Sequence, residues 1–132
     1  MTNVAAPLQI PPNHLPSLLE LTVFVSNVDE SSQFYRALGF RLFEVDAPGY
    51  PQMVDGSLGI NTGFQIVSAG SRSPTHIQLG FYVADLAVVA NALQRLSIPY
   101  QLPMPRRLTT EDPDGNHLHL TELARDDRTS PA

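Results

Sequence analysis

The chain has 132 residues, 42% of them apolar and 16% charged, with a net charge of −5. That is one globular domain by length, able to bury roughly two-thirds of its unfolded surface, and the acidic balance argues against the clustered basic face of a nucleic-acid binder. All eight basic residues are arginine and there is no cysteine, which excludes Schiff-base and phosphate-loop lysines, thiolate nucleophiles, disulfides and cysteine zinc sites.

Residues 1–16 carry four prolines and no amphipathic period, so we expect an extended N-terminal arm. It has no basic region followed by an apolar run, the signature of a signal peptide. No stretch approaches the roughly 20 apolar residues of a membrane span. The expectation is a soluble, cytoplasmic protein with no membrane or nucleic-acid partner. SLLELTVFVSN reads as a strand. Asn27, Asp29 and Ser31 offer helix caps, and DESSQFYRALGF reads as a short helix ended by Gly39. RLFEVD is a second strand. MVDGSLGI and GFQIVS are two more, separated by Asn-Thr-Gly, and GSRSP (70–74) is a linker.

The pattern then restarts. HIQLGFYVADL is a strand with a cap and AVVANALQRLSI a helix. YQLPMP and RRLTTED are strand candidates interrupted by prolines. Asp112-Pro113-Asp114-Gly115 is a turn, and NHLHLTEL is the last strand. Shifted by 58 positions, residues 20–40 overlie 78–98: Leu21 meets Leu79, Val23 meets Phe81, Val25 meets Val83, Asn27 meets Asp85 and Leu38 meets Leu96. An internal repeat is to be recognised before the fold. The fold class expected is therefore α+β: two βαβββ modules, at about 17–70 and 75–124, forming a curved mixed β-sheet cleft with the helices on its outer face, and a flexible tail over 125–132.

Alternation assigns the strand faces. Leu21, Val23 and Val25, Leu79, Phe81 and Val83, and Leu118 and Leu120 form apolar rows expected to face the helices. The opposite rows hold Glu20, Thr22, Phe24, Gln65, Gln78, Tyr82, His117 and His119. If the module sheets close edge to edge, that second face becomes a concave cleft of the kind small ligands occupy. Otherwise these residues simply meet water on the open side of a sheet. Phe24 and Tyr82 are pseudosymmetric aromatics, read either as packing under loops or as walls that stack a flat ligand. His76 shares the parity of Gln78 further out, His14 lies in the arm, and Arg106 and Arg107 precede the closing hairpin.

The run NVDESSQFYRALGF, from Asn27 to Phe40, resembles the strand–helix signature of the vicinal oxygen chelate superfamily, which includes glyoxalase I, bleomycin-resistance proteins and extradiol dioxygenases. DPDGN, from Asp112 to Asn116, with Leu118 and Leu120 after it, resembles that superfamily's closing hairpin. The resemblance spans about residues 18–123. It implies metal-ligand positions at Glu20, Gln78, His119 and, by a less certain alignment, Gln65. Members of the superfamily usually carry His or Gln, Glu, His and a final Glu there. This chain has His119 at the final position, where the isomerases hold a carboxylate that also acts as base. Three roles stand open for Glu20 and His119: a divalent-metal site (Zn, Ni, Mn or Fe) with Gln78 as third ligand, a metal-free pair lining a pocket with Thr22, Phe24, Gln65, Gln78, Tyr82 and His117, or a structural pair. The resemblance implies a homodimer that binds a small molecule, sequestering or sensing it without a metal. The alternative is a metal-dependent lyase, isomerase or dioxygenase in which Glu20 and His119 are catalytic.

Overall fold

The computed structural model describes Pro16, residues 18–59 and residues 61–123. The expected arm short of Pro16, His14 within it, and the tail over 125–132 lie outside the described residues.

Two βαβββ units follow one another. The first has β1 (Glu20–Val25), α1 (Val28–Ala37), β2 (Leu42–Glu44), β3 (Met53–Leu58) and β4 (Thr62–Ser68). The second has β5 (Gln78–Val83), α2 (Leu86–Arg95), β6 (Tyr100–Met104), β7 (Arg107–Glu111) and β8 (His117–Glu122). Each unit makes a mixed four-stranded sheet: sheet A in the order β1-β4-β3-β2 and sheet B in the order β5-β8-β7-β6. In both, the first strand runs parallel to the last and the other pairings are antiparallel. The α+β class, the two modules and their strand count are as expected, with the sheet divided into two hydrogen-bonded halves.

The local chemistry explains the elements. Among the three candidate caps it is Asn27 that closes α1, its side chain accepting from the Glu30 amide at 3.0 Å. Asp85 does the same for α2, accepting from the Ala87 amide at 2.9 Å. Both satisfy amides that a helix start leaves unpaired. Gly39 ends α1 at φ 107°, a left-handed conformation that costs glycine nothing. Its repeat counterpart, Ser97, adopts φ 60° and bears the strain of a side chain there. Pro103 lies within β6, an edge strand, at the register shift between Gln101 and Met104. Edges and bulges are where a residue without an amide hydrogen can be accommodated.

The apolar rows meet the helices as alternation requires. Val23, Val25, Phe64, Ile66, Leu108, Leu118 and Leu120 are inaccessible and join Phe34, Tyr35 and Leu93 in a single core shared by both units. Tyr35 and Phe40 pack on Phe64 within the first unit, and Phe40 crosses the module boundary to meet Phe81 edge-on with centroids 5.2 Å apart.

The two stretches that carry the family resemblance touch each other. Tyr35, from the first, donates its hydroxyl to Asp112 Oδ2, from the second, at 2.7 Å. Asp112 is itself buried and accepts from the amides of Asp114 and Asn116 and from the Asn116 side chain. Asn116 in turn accepts from the Ile77 amide at 2.6 Å, at the entrance to β5. Burial, then the bond to Asp112, push the Tyr35 phenol far above its ordinary range. These motifs are therefore a clamp between modules, and their side chains are used up in holding the fold.

Candidate functional site

Register places every candidate residue. In sheet A, one row crosses all four strands as Thr22, Gln65, Asp55 and Phe43. In sheet B the corresponding row is Gly80, His119, Thr109 and Gln101. Gln65 and His119 thus hold equivalent positions, each beside the third residue of its module's first strand. A neighbouring row in sheet A runs Glu20, Gly63 and Ser57, and in sheet B Gln78, His117 and Glu111. A third joins Phe24, Val67 and Met53 in sheet A, and Tyr82, Thr121 and Arg107 in sheet B. All lie on the face opposite the helices.

Within each sheet the candidates are neighbours. The Thr22 hydroxyl donates to Gln65 Oε1 at 3.2 Å. His117 Nδ1 lies 3.5 Å from Glu111 Oε2. His119 is flanked by Gly80, where an added Cβ would meet nothing closer than the His119 carbonyl oxygen at 3.8 Å. The imidazole therefore has an open flank. Between the sheets the candidates are not joined: among the described residues no hydrogen bond or ion pair links Glu20, Thr22 or Gln65 to Gln78, His117 or His119. The sheets are instead tied along the β1 edge. Phe24 and Thr75 exchange bonds, the Phe24 amide to Thr75 Oγ1 and the Thr75 amide to the Phe24 carbonyl, both 2.8 Å.

The two aromatics expected to be equivalent walls differ. Tyr82 is 74% exposed. Phe24 is half-buried, and Arg72 of the linker lies over its ring at 5.3 Å from the centroid. Arg72 thus holds the place a flat ligand would take against Phe24. His76 is exposed and precedes β5, while Arg107 opens β7 on the open face.

A groove of about 450 Å³ follows β6, β7 and the start of β8. Gln101, Thr109, Glu111 and His117 line it, and His119 adjoins it through its pairing with Thr109. Of these, Gln101, Thr109 and Glu111 were not among the candidates read from the sequence. Gln101 falls on Phe43 at the 58-residue offset, whereas Thr109 and Glu111 are found only once a four-residue shortening past β6 is allowed. Phe43 and its partner Asp55 are 12 positions apart and Gln101 and its partner Thr109 are 8 apart, so Asp55 corresponds to Thr109 with an offset of 54.

The donor set can be tested against a metal. Among the described residues no three His, Asp or Glu side chains gather to hold an ion. The candidate set of Glu20, Gln78 and His119 supplies one carboxylate, one imidazole and a neutral carboxamide. The fourth position, Gln65, already spends its oxygen on Thr22. Such a set fits a divalent ion poorly, since tight sites use three or more strong donors.

Comparison with known proteins places this architecture. No protein-family model matches the chain, and no curated protein matches it. Solved structures do. TnmS3, an antibiotic-binding protein from Streptomyces sp. CB03234, is 19% identical and matches over 83% of this chain and 98% of its own, with a TM-score of 0.63. Lactoylglutathione lyase from Agrobacterium tumefaciens is 19% identical, over 85% and 95% of the two chains, with a TM-score of 0.57. A glyoxalase/bleomycin resistance protein/dioxygenase superfamily member from Sphaerobacter thermophilus is 22% identical, over 83% and 98%, with a TM-score of 0.60. The fold is that of these proteins, as the resemblance in the sequence implied. No described helix is long and apolar enough to cross a membrane.

Proposed function

On the fold shared with glyoxalases, bleomycin-resistance proteins and dioxygenases, we propose that this chain binds a small organic molecule on the open faces of its sheets, sequestering or sensing it without a metal ion. The observation that carries this reading is the groove beside His119: about 450 Å³, polar along Gln101, Thr109 and His117, and next to an imidazole with an open flank at Gly80. Ligand sites are concavities of this size with a few convergent polar groups. Antibiotic binding in TnmS3 shows that a protein of this fold serves such a purpose. Fold alone does not determine function, so the weight rests on the groove and on the weak donor set.

The ligand lies across β6, β7 and β8, with His119 and Thr109 supplying hydrogen bonds and Tyr82, at the far end of the same face, an exposed ring for stacking. Glu20, Thr22 and Gln65 contribute from sheet A, and a second copy of the chain in a homodimer brings the two open faces together. The protein acts in the cytoplasm.

Thermal-shift screening of small aromatic and polycyclic compounds tests this. A ligand at 100 times its Kd stabilises by about 2.7 kcal/mol, and the gain should fall at least tenfold in apparent affinity in His119→Ala and Thr109→Val. Elemental analysis of the purified protein is the opposing arm. One equivalent of zinc, nickel, manganese or iron, lost in both Glu20→Ala and His119→Ala, would replace this reading with the metalloenzyme one.

A further inference from the structure

Asp55 lies in the middle of sheet A, on β3, between Gln65 and Phe43. The preceding residue, Val54, is buried in the core, so Asp55 points to the open face. There its Oδ1 is shielded from solvent and accepts no hydrogen bond among the described residues. Buried polar atoms are nearly always paired, and an exception asks for a reason.

The neighbours supply one. On one side, the Gln65 carboxamide is turned with its Oε1 accepting from the Thr22 hydroxyl and gives no bond to Asp55 Oδ1. On the other side Phe43, on the edge strand β2, is 63% exposed, a large apolar ring open on this face. The equivalent row of sheet B has Thr109 and Gln101 at these two positions, so the carboxyl-and-ring pair belongs to sheet A alone. A carboxyl short of a donor beside an exposed phenyl ring is complementary to an amine carried on an apolar frame. The N–H group bonds the carboxyl, and the cation and its carbons lie against the ring.

We infer that Asp55 and Phe43 are a specificity-determining pair that selects ligands bearing an amine, the amine donating to Asp55 and the adjoining apolar carbons packing on Phe43. This rests on the reading of the open faces as the ligand site, and names the class of ligand. The terminal torsion of an aspartate is soft and two-fold, so rotation exchanges the shielded oxygen for the other when a donor arrives.

The test uses the full chain and three probes of one shape: 2-phenylethylamine, 2-phenylethanol and 3-phenylpropionate, titrated while backbone amide resonances are followed by NMR. The amine should perturb Phe43, Asp55 and Gln65 and bind at least tenfold more tightly than the alcohol, with the carboxylate weakest. Asp55→Asn should abolish that preference, Phe43→Ala should weaken all three probes, and the ligand-free thermal midpoint of Asp55→Asn should equal or exceed that of the parent. Equal binding of amine and alcohol, a preference that survives Asp55→Asn, or a lowered midpoint in that variant would overturn the inference. Probes that perturb only the sheet B face would overturn it while leaving the ligand-binding reading intact. Failure of every probe to perturb either open face would sink both.

Discussion

Two junctions hold the modules together, and they are built from equivalent positions with opposite chemistry. At one, the start of α1 meets the end of α2 and the β7–β8 turn around a groove of about 460 Å³ lined by Glu30, Gln33, Arg95 and Glu111. At the other, the start of α2 meets the end of α1 and the β3–β4 turn around a groove of about 410 Å³ lined by Phe40, Leu58, Phe81 and Val88. Val88 stands where the first junction has Glu30, 58 positions earlier. More telling, Tyr35 and Asp112, the hydrogen-bonded clamp of the first junction, correspond by offsets of 58 and 54 to Leu93, in the shared apolar core, and Leu58, packed against it. One fold is closed on one side by a buried polar network and on the other by hydrocarbon. A repeat preserves the backbone path because backbone pairing and burial pattern are preserved, while the particular interaction that fills an equivalent gap is free to change.

Breaking the polar junction should have the largest effect. Asp112→Ala removes the acceptor for the Tyr35 hydroxyl, two backbone amides and the Asn116 side chain at once, in a buried site. Each buried donor left unpaired costs about 1–3 kcal/mol, so a loss of about 3–5 kcal/mol is expected in urea unfolding, against about 1 kcal/mol for Tyr35→Phe. An Asp112→Ala loss below that of Tyr35→Phe would show that the network is not what holds this side. Breaking the apolar junction should cost slightly less. Phe40→Ala removes the ring that bridges Tyr35, Phe64 and Phe81, and about 3 kcal/mol is expected, since Phe40 is only partly buried.

The two junctions should also differ in alkali. The Tyr35 phenol is raised in the folded state, so its contribution is complete below the unfolded value near pH 10 and is lost as pH rises above it. Stability should fall above about pH 10 with an added slope approaching about 1.4 kcal/mol per pH unit from this group. Tyr35→Phe should remove that component, and an unchanged profile in the variant would contradict it. The smallest effect concerns the ends of the two helices. Ser97 adopts the left-handed conformation that Gly39 adopts at the equivalent position. Ser97→Gly should therefore stabilise by up to about 1 kcal/mol, the relief of strain less the entropy that glycine adds to the unfolded chain.

Much of this was legible in the sequence. Alternation in ELTVFV and HLHLTE put the leucines and valines against the helices, and Asn27 and Gly39 marked the ends of α1 where they occur. The repeat offset of 58 was visible because the β1–α1 and β5–α2 units have equal lengths. It holds as far as Gln101, which falls on Phe43, and fails beyond it, where the path from Gln101 to its partner Thr109 is four residues shorter than that from Phe43 to Asp55, and so Thr109 was not matched to Asp55. Asp55 was hidden for a second reason. MVDGSLGI contains two glycines and no clear alternation, so its face follows only from pairing with β4. The Tyr35 motif and the Asp112 motif were visible as a family resemblance, but their mutual bond spans 77 residues and has no local signature.

The sequence alone determined the class of fold, the two-module plan and the buried rows, because these depend on local periodicity and on residue type. The resemblance in the sequence pointed to Glu20, Gln78, His119 and Gln65 as candidates, whose side chains alternation put on the open faces. Tertiary structure decided which open-face residues have company: that Gln65 is engaged by Thr22, that Arg72 covers Phe24, that Gly80 leaves His119 an open flank, and that Asp55 keeps a shielded oxygen without a donor. Those facts depend on strand register and on how a linker folds back, long-range contacts that bring together residues 39–48 positions apart and that no window of local sequence can contain.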